Sequence, residues 1–101
     1  MFISVDCGIT GIEEVAYATE QGLDSIITDH HEPADTLPEA TAVVDPKLIP
    51  DDSAIRELAG VGVAFKLCQA VYEEIGVSKQ ELYTHLDLVG LGTIADIVPL
   101  V

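Results

Sequence analysis

The chain has almost no positive charge: four Lys and Arg stand against 18 Asp and Glu in 101 residues, a formal net charge of −14. Lys47, Arg56, Lys66 and Lys79 are scattered along it. They form no basic stripe, so affinity for a polyanion cannot come from the chain's own field, and the chain itself is not expected to bind DNA tightly. A nucleic-acid substrate would have to be drawn in by metal ions or by further domains. Tryptophan is absent and cysteine occurs only twice. Cys7 and Cys68 have neither CxxC spacing nor a secretory context, which argues against a disulfide framework and predicts two reduced thiols behaving as small buried hydrophobes. No apolar run reaches the roughly 20 residues of a bilayer span, and no basic start leads into an apolar signal core. The expected compartment is the cytoplasm, with no membrane partner.

Hydrophobic residues nevertheless make up 49% of the chain, and Ile, Val and Leu recur at regular spacing, so the acidity sits on a folding chain rather than a solvating tail. The length allows one small domain. Phe2 to Asp6 reads as a β-strand stopping in Cys7-Gly8, and Thr10-Gly11-Ile12-Glu13 offers a capping box for a helix to about Gly22, with Ile12, Val15, Ala16 and Ala18 on its apolar side. Ser25 to Thr28 is a second strand, parallel to the first through a right-handed βαβ crossover. A loop follows through Pro38, a third strand covers Thr41 to Val44, and Pro46 to Ser53 reads as an exposed connection. Val61, Ala64, Phe65, Cys68, Val71, Tyr72 and Ile75 mark a helical face ending at Gly76. Ser78-Lys79-Gln80-Glu81 is a second capping box, starting a helix toward Gly90 or Gly92, after which Thr93 to Pro99 reads as a turn into a last extended piece. The expected fold class is α/β: an open parallel sheet with flanking helices, Rossmann-like, with a helical second half.

In an open parallel sheet, ligands bind beyond the carboxyl ends of the strands. Asp6, the triplet Asp29-His30-His31 and Asp45 all fall at such ends, and neighbouring first and second strands would bring Asp6 close to the triplet. Carboxylates and imidazoles converging on one edge call for a positive charge among them, and mixed oxygen and imidazole ligands suit Mn²⁺, with Mg²⁺ or Zn²⁺ as alternatives. Cys7 would point away from Asp6 on an extended backbone, which disfavours thiolate ligation. A rival reading of the triplet is a capping Asp with two surface histidines. Asp96 either caps a turn or reaches back to the site; its apolar surroundings favour a buried, partnered carboxylate. Gly60-Val61-Gly62 either cradles a phosphate on backbone amides or, the favoured reading, begins a helix in close packing. His85 reads as an exposed helical side chain. Glu13-Glu14, Asp51-Asp52 and Glu73-Glu74 read as solvated faces.

Val5 to Gly8, Ile27 to Pro33, Leu58 to Leu67 and Gly92 to Leu100 resemble the DHH phosphoesterase superfamily, and within it the branch of bacterial single-strand-specific DNA exonucleases. The likeness runs nearly end to end. It implies a two-ion Mn²⁺ or Mg²⁺ site in the complete enzyme, with Asp6 bridging both metals and His30 and Asp96 as ligands of one. It further implies that Asp29 orients a histidine and that His31 contacts the scissile phosphate. The implied reaction is in-line hydrolysis of phosphodiester bonds in single-stranded DNA, releasing nucleotides stepwise 5′→3′, in DNA repair and recombination. The family's first motif, an Asp-x-Asp element, has no counterpart, nor has its C-terminal domain. The expectation is therefore a partial catalytic domain over residues 1–101, holding at most one incomplete metal site and inactive in isolation. Two other readings stand beside this one. The same chemistry could serve short oligonucleotides, cyclic dinucleotides or pyrophosphate, or the chain could be a non-enzymatic acidic α/β module.

Overall fold

The computed structural model describes residues 1–50 and 53–98. Strands β1 (Phe2–Ser4), β2 (Ser25–Thr28) and β3 (Ala42–Val44) are joined by helix α1 (Ile12–Glu20) and a loop; helices α2 (Gly60–Ile75), α3 (Gln80–Tyr83) and α4 (Leu86–Ala95) follow. The sheet order is β1-β2-β3, all parallel, with Ile3 opposite Ile26 and Ile27 opposite Val43. This is the parallel α/β architecture with a helical second half that the sequence predicts. Because all three strands run one way, Asp6, Asp29 and Asp45 emerge at one edge.

The central strand carries the burial. Ser25, Ile27 and Thr28 are buried in β2, and Val15 and Ala18 of α1, Ala59 and Val63 around the start of α2, Ile9 and Leu82 complete the core. Beyond the ladder, Thr28 ties the ends of β1 and β2 together: its N–H donates to Ser4 Oγ at 3.2 Å and its Oγ1 to the Ser4 carbonyl at 2.5 Å. The two strand ends that carry Asp6 and the triplet are thus held in fixed relation.

Several sequence expectations need correction. The first capping box does not form: Gly11 precedes the helix and makes no side-chain cap. The Gly11 N–H closes a turn onto the Gly8 carbonyl instead, which leaves Thr10 outside the helix. On α1, Ala16 is exposed while Val15 and Ala18 face the core. Both cysteines are exposed. For Cys68 the reason is reach: sixteen helical residues extend about 24 Å, outrunning strands of three and four residues, so only the first turns of α2 meet the sheet. Its end is as expected, with Gly76 at φ 72° in the left-handed conformation, where glycine carries no Cβ penalty.

The second capping region also behaves differently. Ser78 Oγ accepts from the Gln80 N–H at 3.3 Å, but the helix breaks at Thr84-His85, where Thr84 Oγ1 donates to the Glu81 carbonyl and competes with helix propagation. After the break α4 passes through Gly90 and Gly92 to Ala95, so residues 93–95 are helical, not extended. Along this stretch α4 packs on α2. Residues 46–48 form a single 3₁₀ turn with Pro46 buried, in place of a wholly exposed connection. The acidic pair Asp51-Asp52 and the end of the extended piece at Pro99-Leu100 lie outside the described residues.

Asp45 caps that 3₁₀ turn, its Oδ1 accepting from the Lys47 N–H at 2.8 Å. It is 5% exposed, and Oδ2 has no hydrogen-bond partner among the described residues. Burial pushes its carboxyl above the ordinary carboxylate range, outweighing the Lys47 N–H, which favours the ionised form. A carboxyl whose folded pKa exceeds its unfolded value lowers stability above the folded pKa, and the cost fades as pH falls toward the unfolded value. Asp45→Asn keeps a capping oxygen and removes the charge. It should melt at or above the wild-type temperature at neutral pH, with the advantage shrinking near about pH 4. Asp45→Ala loses the cap and should cost about 1 kcal/mol. Thermal melts across that pH range check both outcomes, and an Asp45→Asn protein that melts well below wild type at neutral pH would overturn the assignment.

Candidate metal centre

The site is built on the carboxyl edge of the sheet. His30 lies just beyond β2 and is 8% exposed. Its Nε2 lies 2.8 Å from Asp6 Oδ1, beyond β1, and 3.3 Å from Asp96 Oδ2, at the end of α4. Despite these two close carboxylates, Nε2 is a buried nitrogen that makes no hydrogen bond among the described residues. The expected proximity of Asp6 and the triplet is observed. Asp96 comes to the same nitrogen but is partnered and part-exposed rather than buried, with 40% of its side chain accessible, because it caps the outer end of α4.

Asp29 is 1% exposed and its acceptor capacity is heavily used. Oδ2 accepts from the Ile9 N–H at 3.0 Å. Oδ1 accepts from the His30 N–H at 2.8 Å and from the His31 N–H at 3.4 Å, and lies 2.6 Å from His31 Nδ1. Burial acts to raise the Asp29 carboxyl, but the Ile9, His30 and His31 donors hold it below its ordinary value. The hydrogen bond to Asp29 raises the His31 imidazole above its ordinary value, with Asp6 and Asp96 adding to the effect. The His30 and His31 rings are 4.4 Å apart between centroids.

Asp6, Asp29, His30 and His31 each offer one ligand atom, all within 4.8 Å of one another. Cys7 is not in this group, and Asp45 serves its own cap. His85 stands exposed at the start of α4, as expected. Two helix ends shape the electrostatics. Asp6 abuts Gly60, the first residue of α2, where the positive end of the helix dipole favours a carboxylate; Asp96 sits at the negative end of α4, where a carboxylate is unfavourable unless a cation faces it. The backbone is strained at the same place: Asp6 (φ 63°) and Ile97 (φ 56°) are the non-glycine residues with positive φ among those described. For the β-branched Ile97 this is a costly conformation, of the kind that gathers at functional sites. The oxygen and nitrogen donors of Asp6, Asp29, His30 and His31, with the buried His30 Nε2 making no hydrogen bond among the described residues, fit a hard or borderline divalent cation; Asp96 lies outside this group of four and reaches the site only through its 3.3 Å approach to His30 Nε2.

Sequence reasoning missed three contributors. The Ile9 N–H that fixes Asp29 comes from a loop with no recognisable signal. Gly60 and Gly92 lie against the site, and only the Gly60-Val61-Gly62 pattern hinted at it. The structure places that pattern in the first turn of α2, with Gly60 against Asp6 and Gly62 against Leu58, the close-packed helix start.

A parallel sheet with a carboxylate–imidazole cluster at its carboxyl edge places the chain among α/β domains built around such a centre. Residues 1–93 match the DHH family, N-terminal domain, and the chain belongs to that family. Among its relatives, the single-stranded-DNA-specific exonuclease RecJ of Bacillus subtilis is 51% identical over 99% of this chain and 12% of its own length. That of Thermus thermophilus is 44% identical over 99% of this chain and 14% of its own length. A crystal structure of exonuclease RecJ bound to manganese superposes with a TM-score of 0.84 at 42% identity, covering 97% of this chain and 24% of that one. The crystal structure of RecJ in complex with Mn²⁺ from Thermus thermophilus gives 0.85 at 42% identity, covering 97% of this chain and 14% of that one. The chain thus spans less than a quarter of the length of each of these relatives. Among the described residues no helix is long and apolar enough to cross a membrane.

Proposed function

We propose that this chain supplies the DHH-triplet part of the active site of a divalent-metal single-stranded-DNA exonuclease, acting in the cytoplasm in DNA repair and recombination. The observation that supports it most is His30 Nε2, buried, without a hydrogen bond, and flanked by Asp6 Oδ1 and Asp96 Oδ2. Manganese in related RecJ structures favours Mn²⁺ as the ion, with Mg²⁺ fitting the same donors.

Asp6, His30 and Asp96 are the ligands in this reading. Bound there, the ion would supply Lewis-acid polarisation of a phosphodiester and a more acidic water. The rest of the chemistry falls to the chain. Asp29 accepts hydrogen bonds along the backbone of the triplet and at His31 Nδ1, which fixes the orientation of His31 and raises its proton affinity. A protonated His31, 58% exposed at its side chain, can then donate from Nε2 to a phosphate oxygen at the mouth of the site, stabilising charge that develops during in-line hydrolysis. His31 is thus the substrate-contacting catalytic group and Asp29 its support. A full set for two ions requires ligands beyond those gathered here, so the chain in isolation is expected to be inactive.

The net charge of −14 supports a second reading, in which the substrates are short oligonucleotides, cyclic dinucleotides or pyrophosphate. Turnover by the full-length protein separates them. The exonuclease reading expects Mn²⁺-dependent release of nucleotides from long 5′-phosphorylated single strands to exceed hydrolysis of dinucleotides. The reverse order would favour the second reading.

A further inference from the structure

Two glycines flank the site without a conformational reason to be glycine. Gly60 and Gly92 both lie in helices and neither has positive φ, so helix propensity favours alanine over glycine at both. Space explains them. A Cβ on Gly60 would stand 2.5 Å from Asp6 Oδ1 and 2.6 Å from Asp6 Cβ; one on Gly92 would stand 2.7 Å from Val61 Cγ1 and 3.2 Å from Val61 Cβ. Carbon contacts settle at about 3.5–4.0 Å. A Cβ on Gly90, two residues earlier on α4, would meet nothing within 4 Å.

Gly60 and Val61 are consecutive in the first turn of α2. One touches Asp6, the other touches α4 at Gly92. Asp96 lies one turn beyond Gly92, and its N–H donates to the Gly92 carbonyl at 3.0 Å. Asp6, Gly60, Val61, Gly92 and Asp96 together line a cavity of about 260 Å³. We propose that the first turn of α2 is a spacer, with Gly60 and Gly92 as positioning residues that set how far apart Asp6 and Asp96 stand across His30 and so how tightly the site holds a divalent cation. The inference rests on the metal reading above. Its physical basis is tolerance: metal–ligand distances allow only about 0.2 Å of play. A methyl group at position 92 would stand 2.7 Å from Val61 Cγ1 and 3.2 Å from Val61 Cβ, a crowding that turning the Val61 methyl relieves only in part; α4 takes up the rest by shifts of a few tenths of an ångström, and Asp96 moves with α4.

The test is Mn²⁺ binding by calorimetry on the full chain, with a thermal melt of each sample. Gly92→Ala should weaken binding by about tenfold or more, the size of outer-shell effects on metal sites, while Gly90→Ala on the same helix binds as wild type does. Gly92→Ala/Val61→Ala removes the methyl that is struck and should recover most of the affinity. If Gly92→Ala alone fails to fold, the double variant decides: a folded double variant with wild-type affinity supports the spacer, and one with weakened affinity overturns it. Equal losses in Gly90→Ala and Gly92→Ala, or no loss in a folded Gly92→Ala, also overturn the spacer while leaving the metal reading intact. A wild-type chain that binds no Mn²⁺ overturns both.

Discussion

Asp6→Asn should abolish metal-dependent nuclease turnover in the full-length protein, a loss larger than the roughly 100-fold that removing an outer-shell partner of a metal ligand can cost. The carboxylate lies 2.8 Å from His30 Nε2, which makes no hydrogen bond among the described residues, and sits at the positive end of α2. An amide there has no net charge to offer a cation and presents a donor on one side. The substitution is conservative for the fold, because asparagine tolerates left-handed backbone as aspartate does, and Asp6 has φ 63°. Loss of activity with an unchanged melting temperature in chelator would therefore report on the site alone. Steady-state assays on 5′-phosphorylated single strands, with melts alongside, measure both. Turnover at the wild-type rate would remove Asp6 from the mechanism.

Ile27→Ala should remove about half or more of the chain's stability. Ile27 is 1% exposed in the middle strand, paired with Ser4 on one side and Val43 on the other. Truncating a buried isoleucine costs about 2–5 kcal/mol through lost burial and the cavity left behind, against a total stability of about 5–15 kcal/mol for ordinary domains. This small chain belongs at the low end, since Phe2, Ile3, Leu88 and Leu91 are among many large apolar side chains left exposed. Loss of the cooperative urea transition, or its midpoint falling by about half or more of its wild-type value, is the expected result. A loss below about 1 kcal/mol would mean that the core lies elsewhere.

What the sequence revealed of the fold is what local chemistry dictates. The bounds of β2 coincide with the expected Ser25 to Thr28 because it is an apolar run stopped by a charged triplet, and α2 ends at Gly76 because a left-handed residue is needed there. The edge holding Asp6 and the triplet was legible from the βαβ pattern, since parallel strands present their carboxyl ends together. Features set by tertiary packing were not. The exposure of Cys68 depends on α2 outrunning a three-stranded sheet, and α4 packs on α2 with Gly92 against Val61, a contact no local pattern encodes. For Asp96 the sequence left two alternatives, capping a turn or reaching back to the site; it does both, closing the end of α4 while its carboxylate approaches His30.

The most direct test of the metal reading is calorimetric titration of chelator-treated chain with Mn²⁺, wild type beside His30→Ala, followed by thermal melts with and without the ion. The account predicts saturable binding by the wild type and a melting temperature that rises with free Mn²⁺, as binding to the folded state alone requires, with both effects lost in the variant. A wild-type chain that folds yet neither binds nor gains stability, or a His30→Ala variant that binds equally well, would contradict it.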